Sequence, residues 1–391
     1  MRERLSFVRI AYISLSTPLA RKSWSGIPWY SLRELQRRFP DTHVIDTPGA
    51  DKLVERLAVA ERFGAIVRRH WIVSRYYRAV INAELERLQP DVVVGMAAAH
   101  KLALIDPKWP FVYAADALHG TIINYYDKYL RMSDRSKTQG EELQRRLLER
   151  TDRILLGSRW AADEAIHRYG LPSEQVEVAP MGANLDDDPG FSPAPVDRPL
   201  SLLFIGYAWE RKGGPLILDI WRALRLRRPD VELHIVGARP KAAEGIAGVT
   251  IHGQLNKTNA ADYQRFVDLY RQSHFFIMPS RQEAYGIVYC EAAAFGRPVI
   301  AKMTGGVETI VEDGRTGLLF PMQATPEDYA DRILALWDDP ERYQAVCRDA
   351  RRAYEERLNW RSWGDVAERA IADARAGNAA RIADAEADMS A

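Results

Sequence analysis

Short runs rich in β-branched and aromatic residues recur along this chain, and longer segments with helical spacing separate them. "FVRIAYISL", "THVIDT", "DVVVGM", "PFVYAA", "RILLGS" and "VEVAP" come first. A proline-rich stretch follows, "DDDPGFSPAPVDRP" at 186–199, and the pattern then restarts with "LSLLFIG", "VELHIVG", "VTIHG", "HFFIMPS", "RPVIA" and "TGLLF". Continuous apolar strands alternating with helices indicate parallel sheets covered on both faces, wound twice over. A length of 391 residues exceeds what one hydrophobic core usually serves, so two α/β domains joined by a proline-rich hinge are expected.

The charge balance excludes some functions. A formal net charge of +1 gives no bulk attraction for nucleic acid. Cys290 and Cys347 are the only cysteines, too few for a disulfide framework and in keeping with a reducing cytoplasm. The start, "MRERLSFVRIAYISLSTPLA", imitates a secretory signal, but Arg9 breaks its apolar run and a first strand is expected instead. No apolar run is long enough for a transmembrane helix.

Ligands of doubly wound sheets bind beyond the carboxyl ends of the strands, so residues just after strands are the candidates. The segment "RQEAYGIVYCEAAAFGRPVIA" at 281–301 places Glu283 in such a loop and Gly286 at a helix start. Glu291 lies just over one turn in. The helix start at Gly286, Ile287 and Val288 offers N–H groups and a positive dipole end to a phosphate. Glu291 would then accept hydroxyls of a ribose, with Glu283 on the far side of the phosphates, against a sugar. From the residues alone, Glu283 is equally a capping carboxylate and Glu291 a core-edge residue.

Two glutamates separated by seven residues, followed by "AAAFGRPVIAKMTGGVETIVEDGRTGLLF", resemble the retaining glycosyltransferases of family four, which have the GT-B fold. The Gly305–Gly306 pair, Glu308 and the "DGRTG" turn stand where that family has glycine and acidic elements. The resemblance implies two doubly wound Rossmann-like domains facing across a cleft. Residues 1–190 would form the acceptor-side domain and 191–360 the nucleotide-sugar domain, with 361–391 a C-terminal helix that returns to the first domain and ends in a frayed tail. It also implies that Glu291 binds the ribose and Glu283 the hydroxyls of the transferred sugar. Ala284 departs from the glycine usual there.

In "LLFIGYAWERKGG", Arg211 and Lys212 follow a strand and precede a helix, which suits a diphosphate; a solvated basic turn is the alternative. Tyr207 stands where similar enzymes have an arginine, so the "RKG" pair is expected to do both jobs. Arg211, Lys212, Glu283 and Asp116 are the expected catalytic residues. After the first strand, Ser25 and Gly26 precede Pro28 at a helix start, and Gly26 is expected to reach the same diphosphate. Trp24 and Trp29 either stack on an acceptor or pack in the protein. After "PFVYAA", Asp116 holds the place of the family's sugar-contacting residue, and His119 is the second candidate.

The implied activity is transfer of a hexose from a nucleoside-diphosphate sugar to an acceptor hydroxyl with retention. The acceptor would be a glycan, a lipid-linked glycan or a small molecule. No cofactor is implied, and family frequency favours UDP as the nucleotide. The Asp-x-Asp within 186–188 lies at the hinge, so no metal is expected. Rival classes remain: a nucleotide-sugar epimerase of the same architecture, or a sugar-nucleotide-binding protein without catalysis. A nicotinamide-dependent oxidoreductase is disfavoured, since no G-x-G-x-x-G follows a strand. Residues 62–78, "RFGAIVRRHWIVSRYYR", carry five arginines and no acid. As one helix they would put Arg68, Trp71, Arg75 and Arg78 on one face, for anionic lipid, an acidic acceptor or solvent, and Ile66, Val73, Tyr77 and Val80 on another.

Overall fold

The computed structural model describes residues 8–59, 67–193 and 196–390. Among the described residues two six-stranded sheets form, and every strand pairing within them is parallel. The first contains β1 (Ile10–Ser14), β2 (Thr42–Val44), β3 (Val92–Met96), β4 (Phe111–Ala115), β5 (Arg153–Leu156) and β6 (Val176–Val178), in the order β2-β1-β3-β4-β5-β6. The second contains β7 (Ser201–Gly206), β8 (Glu232–Gly237), β9 (Val249–Gly253), β10 (Phe275–Ile277), β11 (Val299–Lys302) and β12 (Gly317–Phe320), in the order β12-β11-β10-β7-β8-β9. Central strands β1, β3, β4, β10 and β11 are buried along their whole length. That is why they read as unbroken apolar runs without alternation. In the second sheet the direction of winding reverses between β10 and β7, and a ligand site is expected at such a reversal.

The chain divides into two compact units. The first runs to Met181 and resumes at Trp360; the second is Gly182–Asn359. The first change of unit thus falls ahead of the expected 190/191 boundary. Local bonding explains it: the Ala183 N–H donates to Leu358 O (3.0 Å), and the Asp186 N–H lies 3.2 Å from the Tyr263 hydroxyl. Arg351 clasps Asp188 at 2.7 Å, so this end of the acidic run belongs to a structural ion pair of the second unit.

The helix Trp360–Ser390 completes the first unit. Trp360, Trp363, Ala367, Ala370, Ile371 and Ala374 are buried at helical spacing, and Trp363 is only 1% exposed. Arg38 on the helix Ile27–Arg38 bridges Asp365 (2.8 Å) and Glu368 (2.6 Å). Arg153, at the start of β5, reaches Asp373 at 2.8 Å.

One expected helix is redrawn. In place of a single helix over 62–78, a 3₁₀ turn Val67–Arg69 precedes the helix Trp71–Leu88; residues 62–66 lie outside the described residues. His70 is extended, and its Nδ1 accepts the Ile72 N–H (3.3 Å), so it caps a new helix instead of continuing an old one. Val73 and Tyr77 face the core, as their spacing required, and Arg75 and Arg78 are exposed.

Candidate active site

In the second unit, three post-strand loops meet at the reversal of the sheet. Gly213, at φ +78°, closes the loop after β7, and a Cβ there would fall 2.2 Å from Pro279 O. No other residue permits so close a backbone approach. The Arg281 N–H then donates to Arg211 O (2.8 Å), locking the β7 and β10 loops together. The Gly306 N–H approaches Glu283 O (3.3 Å) from the β11 loop.

This locking brings together residues that are far apart in sequence. Lys212 Nζ lies 2.8 Å and Arg211 Nη1 3.7 Å from the same Glu283 oxygen, Oε2. Ser280 Oγ donates to that oxygen as well (3.3 Å), and Arg211 Nη1 donates to Gln282 O (2.6 Å). Glu283 is 7% exposed, a burial that a carboxylate tolerates only with such donors around it. The two cations are the more exposed partners, at 33% for the Arg211 side chain and 15% for Lys212.

Gly286, at φ +92°, starts the helix Ile287–Ala294. A Cβ there would meet the Tyr289 ring at 2.4 Å and Glu283 Cγ at 3.3 Å, so glycine is required for the turn to fit between them. Tyr289 ties the helix to β10 by donating its hydroxyl to Met278 O (2.8 Å). The helix is apolar on every side except at Glu291, which is 1% exposed. Lys257 Nζ contacts Glu291 Oε1 at 2.6 Å, while Oε2 is buried without a hydrogen-bond partner. Burial pushes the Glu291 carboxyl up from its ordinary range, and Lys257 opposes that shift.

In the same unit, the ends of β7, β8 and β9 and the loops after them line an open cavity of about 630 Å³. Tyr207, Trp209, Arg239 and Gln254 line it, with backbone at Gly237. Tyr207 is 68% exposed and offers an open aromatic face.

The remaining sequence candidates lie in the first unit. Trp24, Ser25 and Gly26 take left-handed φ values of 44°, 57° and 91° in succession before the helix Ile27–Arg38. Such non-glycine conformations cost roughly 1–3 kcal/mol each and persist only where surrounding structure fixes them. Asp116 follows β4 directly and is half-buried. His119 is 2% exposed, with Nε2 3.0 Å from Lys137 O and Nδ1 buried without a partner. Thus Arg211, Lys212 and Glu283 form one cluster next to Gly286, and Glu291 forms a second pair with a residue that sequence reasoning did not select. Lys257 carried a usable signal: like the others, it follows a strand, β9, by a few residues.

The fold, two parallel six-stranded sheets with helices, resembles that of GT-B glycosyltransferase structures. Two stretches of the chain match glycosyltransferase family models: residues 30–187 match "Glycosyltransferase Family 4", and residues 199–339 match "Glycosyl transferases group 1". Among curated proteins it is similar to D-inositol 3-phosphate glycosyltransferase of Arthrobacter sp., 32% identical over 51% of this chain and 51% of the relative. The match therefore spans about half the length of that relative. Among solved structures, sucrose-phosphate synthase from Thermosynechococcus elongatus superposes with a TM-score of 0.65 at 17% identity, covering 92% of this chain and 98% of the other. HepE from Anabaena, solved with UDP and glucose, superposes at 0.60 and 14% identity, covering 93% and 99%.

Proposed function

We propose that the protein is a retaining glycosyltransferase that moves a hexose from a nucleoside-diphosphate sugar to an acceptor hydroxyl. The observation that carries this reading is the convergence of Arg211, Lys212 and Glu283 at the reversal of the second sheet. A diphosphate needs cations, and the leaving diphosphate needs them most. In this reading Arg211, Lys212 and the N–H groups at Gly286, Ile287 and Val288 hold the phosphates. Glu283 meets the sugar, Glu291 meets the ribose, and the cavity beside Tyr207 receives the base. In the transfer, the acceptor oxygen bonds to the anomeric carbon on the face that the diphosphate leaves, the bond from carbon to phosphate oxygen breaks, and the acceptor proton passes to the departing phosphate.

The test is a thermal-shift panel of UDP-, GDP- and ADP-sugars, followed by turnover with acceptors. UDP-glucose heads the donors because the Anabaena neighbour holds UDP and glucose. Inositol 3-phosphate heads the acceptors because the curated relatives are named for it. A donor at 100 times its dissociation constant is expected to add about 2.7 kcal/mol of stability. Retention is checked by NMR of the anomeric proton in the product. If no sugar nucleotide in the panel shifts the melting temperature, the reading fails. If one binds and is inverted without acceptor, the epimerase alternative replaces it.

A peripheral membrane contact is proposed for the described part of the arginine-rich stretch. Ile72 is 71% and Tyr76 42% exposed, one helical turn apart, with Arg75 and Arg78 exposed beside them. Apolar anchors flanked by cations suit an anionic bilayer. The protein is expected to sediment with phosphatidylglycerol vesicles but not with phosphatidylcholine, and salt is expected to release it, since charge is screened beyond about 8 Å at physiological ionic strength. Equal behaviour with both vesicles would return this face to solvent.

A further inference from the structure

We propose that Lys257 is a positioning residue for the donor, one that holds the buried Glu291 carboxylate so that its second oxygen takes a hydroxyl of the donor ribose. This rests on the ribose assignment of Glu291 above. Three observations carry it. First, Glu291 is the polar exception on an otherwise apolar buried helix, and a charged carboxylate at that depth needs a cation. Lys257 is that cation, 2.6 Å from Oε1. The other titratable groups around Glu291 carry no charge: burial pushes the Cys290 thiol up to about 12 and the Tyr270 phenol well above its ordinary value.

Second, the pair is half filled. A purely structural ion pair is stabilised most when both carboxylate oxygens have donors, and an unsatisfied buried acceptor is costly. Here Oε2 has none of good geometry: the neighbouring Tyr270 hydroxyl, which with the Asn184 backbone favours the charged carboxylate, donates to Val288 O (3.4 Å). An incoming hydroxyl fills that position.

Third, Lys257 is itself fixed. Its ammonium donates to Asn184 O (3.4 Å) and sits 4.1 Å from the centre of the Phe266 ring. It remains 27% exposed, so it joins the buried carboxylate to an open surface. Gln254, which lines the cavity, lies three residues earlier in the same loop. One loop thus carries both a wall of the cavity and the cation on Glu291.

The consequence is a dependence on pH. Without Lys257, only the weaker influence of the Asn184 backbone and the Tyr270 hydroxyl opposes burial, and Glu291 takes up a proton at higher pH. UDP affinity is therefore measured calorimetrically between about pH 5 and 8 for wild type, Lys257→Met, Lys257→Arg, Glu291→Gln and the double variant. GDP or ADP replaces UDP if the panel ranks it higher. Lys257→Met is expected to weaken binding by about tenfold or more at the alkaline end, the fold-change that loss of one charge-assisted hydrogen bond produces. Its affinity is expected to fall further on acidification, starting at higher pH than in wild type. Lys257→Arg is expected to restore most of the affinity, and Glu291→Gln to remove the pH dependence in either background. A Lys257→Met profile parallel to wild type at every pH would overturn the inference, leaving the lysine a structural prop. Failure of the underlying assignment looks different: Glu291→Gln would then bind UDP like wild type, and wild type would not distinguish UDP from 2′-deoxy-UDP.

Discussion

Replacing Lys212 by alanine is expected to lower kcat for glycosyl transfer by about 10²–10³, the cost of removing one preorganised stabiliser of developing negative charge. The diphosphate carries most charge once the sugar has left, so the loss should appear in kcat more than in the donor KM. The geometry adds a second consequence. Lys212 lies 2.8 Å from Glu283 Oε2, so its removal also strips a 7%-exposed carboxylate of its nearest cation. The Glu283→Gln/Lys212→Ala double variant is therefore expected to lose less than the two single losses combined. Donor kinetics at saturating acceptor decide the matter. A rise in KM with kcat intact would mean that Lys212 only holds the donor, with leaving-group stabilisation supplied elsewhere.

Trp363→Ala is expected to destabilise the first unit by about 3–5 kcal/mol, the range for deleting a large aromatic side chain from a packed core. Trp363 is 1% exposed, on the helix that returns to the first unit, and packs edge-on to Trp360 at 5.4 Å between ring centroids. Urea unfolding followed by far-UV circular dichroism would show an earlier transition for the first unit, with the second unit's transition unmoved. Arg369→Ala, which removes a surface pair with Glu177 and an exposed hydrogen bond to Asp365 O, should leave both transitions in place. A Trp363→Ala protein with wild-type unfolding would mean that this helix contributes little to the core it covers.

Much of this architecture was legible in the sequence. Each apolar run singled out became a parallel strand, because strands covered on both faces have no reason to alternate. Gly286 was legible as a helix start because a left-handed residue is required there, and Arg211 and Lys212 because they stood between a strand and a helix. What local pattern did not contain was pairing. That Lys212 meets Glu283 depends on Gly213 allowing the backbone against Pro279, a contact between residues 66 positions apart. Lys257 escaped notice because its post-strand position, the one signal it carried, does not point to a partner; that partner lies 34 residues later, on a helix that reads as plain core. The arginine-rich segment misled for the opposite reason. Its spacing suited one helix, but His70 could cap a helix at Trp71, and a side-chain cap at that point outweighed periodicity.

The returning helix also bears on the order in which this protein is finished during synthesis. A nascent chain usually completes its domains from the amino terminus onward. Here the second unit, Gly182–Asn359, is continuous and has all its strands once residue 359 has left the ribosome. The first unit, although most of it is made earlier, lacks the helix that buries Trp363 and Ile371 until residues beyond 360 emerge. Its six strands must wait with one apolar flank uncovered while the second unit closes, so the part translated first is the part completed last.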